Sequence, residues 1–362
     1  MKNNDIESLL QEFDRTSFQA DLINWFEKEK RDLPWRQDQD PYKVWVSEIM
    51  LQQTKVDTVI PYFNNFIEKF PTLADLAEAD EQDVLKAWEG LGYYSRARNL
   101  QTAVREVVSS YDSKVPDVPE EVSGLKGVGP YTTGAILSIA YGVPEPAVDG
   151  NVMRVLSRIL QIEKDIAKQS TRKIFEACVR QIISKANPSS FNQGLMELGA
   201  LICTPKSPSC LLCPVQEHCK AFENGIQEQL PVKSKAKKQK HVQYFSYIIK
   251  DKYDNYLVEQ RPDSGLLANL WQFPMVPSAE VDVEHATQWI SQVYGIEISV
   301  GTKLKSIKHV FSHLTWDIQV FEATCESGSL TGARAQFIPL NQLTDYPFPV
   351  SHQKIREQII LK

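Results

Sequence analysis

Leu125 to Ala135 reads LKGVGPYTTGA, and this stretch decides how the first two thirds of the chain is read. In it a Leu-x-Gly-Val-Gly turn joins two helical patterns in a tight hairpin. Gly127 and Gly129 let the backbone approach a ligand closely, and the amides opening the next helix can hold a phosphate without net positive charge. Taken alone, the motif also suits an ordinary connection between helices. Eighteen residues after Tyr131, VDGNVMRVLSR places Asp149 at a helix start, followed by Asn151, Arg154 and Arg158. An aspartate there usually serves as a helix cap. Upstream, Pro41 opens PYKVWVSEIMLQQTKVDTVI, whose apolar residues fall at helical spacing. Glu48 shares a helix face with Gln52. Its neighbours Val44, Ile49 and Leu51 predict a partly apolar setting, which would raise its pKa. Without further context Glu48 reads equally as an exposed helical glutamate.

The rest of the chain frames these segments. At 362 residues, 42% hydrophobic and 24% charged, it is long enough for two or three domains and ordinary for a folded soluble protein. It has no run of about 20 apolar residues and a polar, acidic start, so a cytoplasmic, monomeric protein without membrane contact is expected. Residues 1–230 read as helical and carry 25 Lys and Arg against 33 Asp and Glu. Residues 231–240, PVKSKAKKQK, hold five lysines and read as a linker. From residue 241 the pattern becomes α+β, with strand-like runs at VQYFSYIIKD, NYLVEQ, ISVGTKLKSIKHVF and LTWDIQVFEA and one helix in EHATQWISQVYG. The net charge of −6 excludes a global basic field, so any nucleic-acid contact must rest on local features.

Cysteines are concentrated. Cys178 and Cys325 stand alone, whereas Cys203, Cys210, Cys213 and Cys219 form C-x6-C-x2-C-x5-C. Four thiolates suit tetrahedral zinc or a cubane iron–sulfur cluster. Only one close pair is present, and an uneven compact loop wraps a bulky cluster more naturally than one ion. Spacing alone leaves both open.

The hairpin, the aspartate after it and the cysteine loop stand in the order and spacing of one enzyme superfamily. Residues 1–230 resemble the helix-hairpin-helix DNA glycosylases with an iron–sulfur loop, and within them the adenine glycosylase branch, the MutY family. SEIMLQQTKV, GLGYYSRARNL, LKGVGPYTTGAI and VDGNVMRV carry the resemblance. It implies a [4Fe-4S] cluster and base excision from duplex DNA carrying adenine opposite 8-oxoguanine or guanine. It further implies that Glu48 protonates the adenine, that Asp149 stabilises the positive sugar, and that Tyr131 and Asn151 orient these carboxylates. Gln53 and Tyr93 match wedge positions that fill the vacated stack; Tyr93 and Tyr94 also suit core packing, and Arg96 and Arg98 suit phosphates or solvent. Related bifunctional enzymes carry a nucleophilic lysine where Tyr131 stands. A tyrosine forms no Schiff base, so a monofunctional glycosylase is expected, and Lys55 and Lys126 sit elsewhere in their motifs.

Residues 241–362 resemble the Nudix fold. In the helix that would carry the hydrolase carboxylates stand Gln288, Trp289, Gln292 and Val293, which cannot hold magnesium. HVFSH matches the loop by which the family senses 8-oxoguanine, through His309, Phe311 and Ser312. Three other readings remain: a bifunctional pyrimidine glycosylase/lyase, a non-catalytic iron–sulfur DNA-binding or redox protein, and a Nudix hydrolase, which would need the missing carboxylates.

Overall fold

The computed structural model describes residues 3–234, 239–282, 285–332 and 334–360. The chain divides into two compact units, one of residues 1–77 and 102–235, the other of residues 78–101 and 236–362. Residues 78–101, read from sequence as part of the helical stretch, thus group with the second unit. The expected linker 231–240 is short. Val232 accepts a hydrogen bond from the Ile166 amide, Ser234 donates its amide to Asp165, residues 235–238 lie outside the described residues, and Lys240 already opens a strand.

The first unit is helical, as expected. It contains α1 (Asn3–Leu9), α2 (Arg15–Glu29), α3 (Pro41–Leu51), α4 (Val56–Lys69) and α5 (Leu73–Glu78). After α6 (Glu81–Ala87) and α7 (Ser95–Ser110) it continues with α8 (Pro119–Gly124), α9 (Pro130–Ala140), α10 (Gly150–Ile159), α11 (Gln169–Ile182), α12 (Pro188–Leu201) and α13 (Lys220–Glu223). Local chemistry sets the starts. Asp40 accepts from the Tyr42 amide ahead of Pro41, and Asn187 caps α12 ahead of Pro188. The α8–α9 hairpin turns at Gly127, whose φ of 77° lies in the left-handed region that glycine tolerates. Helix α10 buries Val152, Val155, Leu156 and Ile159 against Phe175 and Val179 of α11 and Leu195 and Leu198 of α12. Each such side chain contributes roughly 1.5–3 kcal/mol when fully buried.

The second unit is built on a mixed sheet of β1 (Lys240–Lys250), β2 (Asn255–Gln260), β3 (Trp271–Gln272), β4 (Met275–Pro277), β5 (Ile296–Lys303), β6 (Ile307–Val310), β7 (Leu314–Gly328) and β8 (Ala335–Pro339). The order is β3-β2-β1-β7-β5, with β4 on β1, β6 on β7 and β8 on β2. Strands β1 and β7 pair in parallel; the other pairs are antiparallel. Alternation along β1 sends Phe245, Tyr247 and Ile249 to one core, with Ile290 and Tyr294 of α14 (Ala286–Tyr294). Ile248 goes to the other core, with Phe348 and with Ile355 of α15 (Val350–Ile360). Both faces are covered, so β1 is continuously buried over Phe245–Ile249, with Ser246 the one polar residue in the run.

Candidate active site and cysteine loop

Helix α3 is buried over most of its circumference, and this carries Glu48 inward to 5% exposure. The exposed-glutamate alternative does not hold. Glu48 lines a cavity of about 150 Å³ together with Tyr131, Asp149, Asn151, Gln193 and Met196. The Tyr131 hydroxyl, delivered by the first turn of α9, donates to Glu48 Oε2 and lies 3.6 Å from Met196 Sδ. Burial pushes the Glu48 carboxyl up to about 7; Asp149 adds to the rise, while Tyr131 and Arg36 pull against it. At neutral pH such a group is protonated about half the time and can act as a proton donor. Tyr131 is itself raised by burial and by the two acids near it, so it remains a neutral donor.

Asp149 serves as the helix cap and as a cavity wall at once. Its Oδ1 accepts from the Val152 amide at 2.7 Å and its Oδ2 from Asn151 Nδ2 at 3.0 Å. Burial raises its pKa, while the Val152 and Asn151 donors and Arg154 oppose the rise. Asn151 Oδ1 in turn accepts from Arg154, which also donates to the carbonyls of Gly199 and Cys203. At Gly199 α12 comes close to this network: a Cβ there would lie 2.7 Å from Asn151 Cβ. Thus Glu48, Tyr131, Asp149 and Asn151, nominated from separate motifs, meet at one cavity.

Four residues of that cavity wall carried no motif. Arg31, Arg36, Gln193 and Glu197 come from the segment before α3 and from α12. Glu197 accepts from Arg31 Nε at 2.8 Å and Arg36 Nη2 at 3.0 Å, and Arg36 Nε reaches Gln193 Oε1 at 3.0 Å. Burial alone would push Glu197 up, but the hydrogen bonds from Arg31 and Arg36 hold it at about 2.

Cys203, Cys210, Cys213 and Cys219 line a single apolar cavity between α10 and the loop. Four thiol donors around one apolar cavity suit a bulky iron–sulfur cluster. Buried Arg158 donates to Cys203 Sγ at 3.2 Å and to the carbonyls of Thr204 and Leu230, fixing the loop. Burial raises the Cys213 thiol to about 12.

In the second unit the turn after α6 exposes Tyr93 and buries Tyr94, to 45% and 4%. Core packing is therefore the outcome for Tyr94 only. Tyr93 has a φ of 46°, unusual for a bulky residue, and its ring lies 5.5 Å from the Arg96 guanidinium carbon. Gln53, in the first unit, is likewise exposed and left-handed at 59°. Tyr93 shares a cavity of about 390 Å³ with Leu267, His309, Phe311 and Ser312. His309 lies in β6 opposite Trp316, its ring 4.5 Å from that of Phe311, and burial beside Lys354 lowers its pKa. Arg98 is engaged with the Asp263 carbonyl at 3.1 Å.

Residues 46–181 match the helix-hairpin-helix superfamily of base excision DNA repair proteins, residues 203–219 the iron-sulfur binding domain of endonuclease III, and residues 245–358 the Nudix domain. The chain carries a [4Fe-4S] cluster. No helix among the described residues is long and apolar enough to cross a membrane. A solved thermostable thymine-DNA glycosylase is 27% identical with a TM-score of 0.53, over 58% of this chain and 97% of that one. The adenine DNA glycosylase of Buchnera aphidicola subsp. Schizaphis graminum is 36% identical, over 82% of this chain and 84% of its own length. That of Homo sapiens is also 36% identical, over 86% of this chain and 67% of its own. At 36% identity over more than four fifths of this chain and at least two thirds of each relative, the chain belongs to the adenine DNA glycosylases.

Proposed function

We propose that this chain hydrolyses the N-glycosidic bond of adenine opposite 8-oxoguanine or guanine in duplex DNA and leaves the strand intact. The observation that carries the reading is the buried Glu48, held by the Tyr131 hydroxyl in a cavity shared with Asp149. Protonated Glu48 gives its proton to N7 of an extruded adenine. The C1′–N9 bond then breaks with its electron pair passing to the base, and the Asp149 carboxylate stabilises the cationic sugar until water adds at C1′ and gives up a proton to the Glu48 carboxylate. Asn151 orients Asp149, and Tyr131 orients Glu48. No lysine is among the described residues lining the cavity, and Tyr131 stands where a Schiff-base lysine would be. This supports release without strand cleavage.

Cys203, Cys210, Cys213 and Cys219 would hold the cluster, which shapes the loop behind α10. Gln53 and Tyr93, exposed on strained turns, would fill the vacated stack, whose opening costs a few kcal/mol. The amides around Gly127 and Gly129 would take a phosphate. His309, Phe311 and Ser312 would meet the partner base: a half-buried neutral imidazole, an apolar ring and an exposed hydroxyl around one cavity. Helix α14 carries no carboxylate over residues 286–294, which favours recognition over pyrophosphate hydrolysis in this unit. Glu48→Gln is expected to slow adenine release from A:8-oxoguanine duplexes by about 10²-fold or more; near wild-type release by that variant refutes the assignment.

A further inference from the structure

Glu197 takes no part in the chemistry above, yet its carboxylate is 1% exposed in the wall of the same cavity. Its Oε1 accepts from the Arg31 amide at 3.1 Å, Arg31 Nε at 2.8 Å and Arg36 Nη1 at 3.3 Å. Its Oε2 accepts from Arg31 Nη2 at 2.9 Å and Arg36 Nη2 at 3.0 Å. Two guanidiniums therefore share one carboxylate, and both line the cavity that holds Glu48. A cation near the proton donor favours its ionised form, which is the form that cannot donate.

We infer that Glu197 is a positioning residue for proton transfer: its carboxylate holds and neutralises the Arg31 and Arg36 guanidiniums that line the cavity beside the proton donor Glu48. The inference rests on the proposed role of Glu48. The other charged or titratable groups facing this pair are Tyr131 from α9 and Asp149 from the start of α10. Arg172 of α11 acts on Tyr131, Arg154 of α10 on Asp149, and Asp57 of α4 on Arg31. None of these compensates the Arg36 guanidinium by direct hydrogen bonding, as Glu197 does. Removing a unit charge within about 10 Å shifts a neighbouring pKa by about one unit at an effective dielectric near 20.

The test is the pH profile of single-turnover adenine release by the cluster-loaded protein, with loading followed by visible absorbance. In Glu197→Gln the falling alkaline limb moves about one pH unit toward acid, so the rate drops roughly tenfold near pH 8 and recovers near pH 5.5. Glu197→Asp, which keeps the charge, restores the limb. Arg36→Gln moves it toward alkali. A merely structural Glu197 lowers the rate equally at every pH, and that result overturns the inference. Should Glu197→Gln fail to fold, an unmoved or acid-shifted limb in Arg36→Gln overturns it instead. Undiminished release by Glu48→Gln sinks the reading of the site itself; loss of release there with unmoved limbs sinks only the role of Glu197.

Discussion

The wild-type pH profile follows from the burial of Glu48. An ordinary glutamate with a pKa of 4.5 is protonated in about one molecule in 300 at pH 7, whereas one raised to about 7 is protonated in half. The fold thus supplies roughly 150-fold more acid at neutral pH, within the 10²–10⁴-fold typical of general acid catalysis. Because the protonated form is the active one, single-turnover adenine release is level below about pH 6.5 and falls about tenfold per unit well above pH 7. On the acid side the rate falls where Asp149 takes up its proton, above the usual aspartate value because burial raises it. The assay is release from an A:8-oxoguanine duplex with enzyme in excess, quenched in alkali, across buffers of constant ionic strength. A rate that stays level to about pH 9, or a limb centred near 4.5, refutes the proton-donor argument.

Three further outcomes follow. The raised Glu48 pKa means stability present below pH 4.5 and lost as pH rises to about 7, roughly 3 kcal/mol in all. Glu48→Gln should therefore melt higher than wild type at pH 8 and equally at pH 4, and equal melting at both contradicts the burial argument. Gly199→Ala forces Asn151 away from Asp149 at an overpacking cost of about 1–3 kcal/mol, lowering release about tenfold with the cluster's absorbance intact; an unchanged rate would show that Asn151 does not orient Asp149. Phe311→Ala should reduce the preference for 8-oxoguanine over guanine as partner by about ten- to a hundredfold while sparing the A:guanine rate. Equal losses on both duplexes would remove the loop from partner sensing.

Much of this was legible in the sequence because its signals are local. Apolar spacing around Glu48 anticipated the buried helix, the glycines anticipated the hairpin, and Asp149 reads as a cap because it is one. NYLVEQ is strand β2 over Asn255–Gln260, as its alternation implied. What was not legible depends on distant residues. Nothing near Glu197 signals that Arg31 and Arg36, some 160 positions earlier, will close on it. Tyr93 and Tyr94 are indistinguishable by type, and the backbone turn alone decides which one is buried. ISVGTKLKSIKHVF holds two strands, β5 and β6, separated at Leu304–Ser306 and paired to different parts of β7. Helix α15 escaped notice because VSHQKIREQII is mostly polar, and its place is set by Ile355 entering the core beside Phe348.

The central claim is excision by two carboxylates without a lysine. Its most direct test is single-turnover reaction on A:8-oxoguanine and A:guanine duplexes, each product divided between alkali and neutral work-up. Strand breaks are expected only after alkali, and Glu48→Gln yields about a hundredfold fewer of them in the same time. Strand breaks without alkali, or a borohydride-trapped covalent complex with DNA, would contradict it.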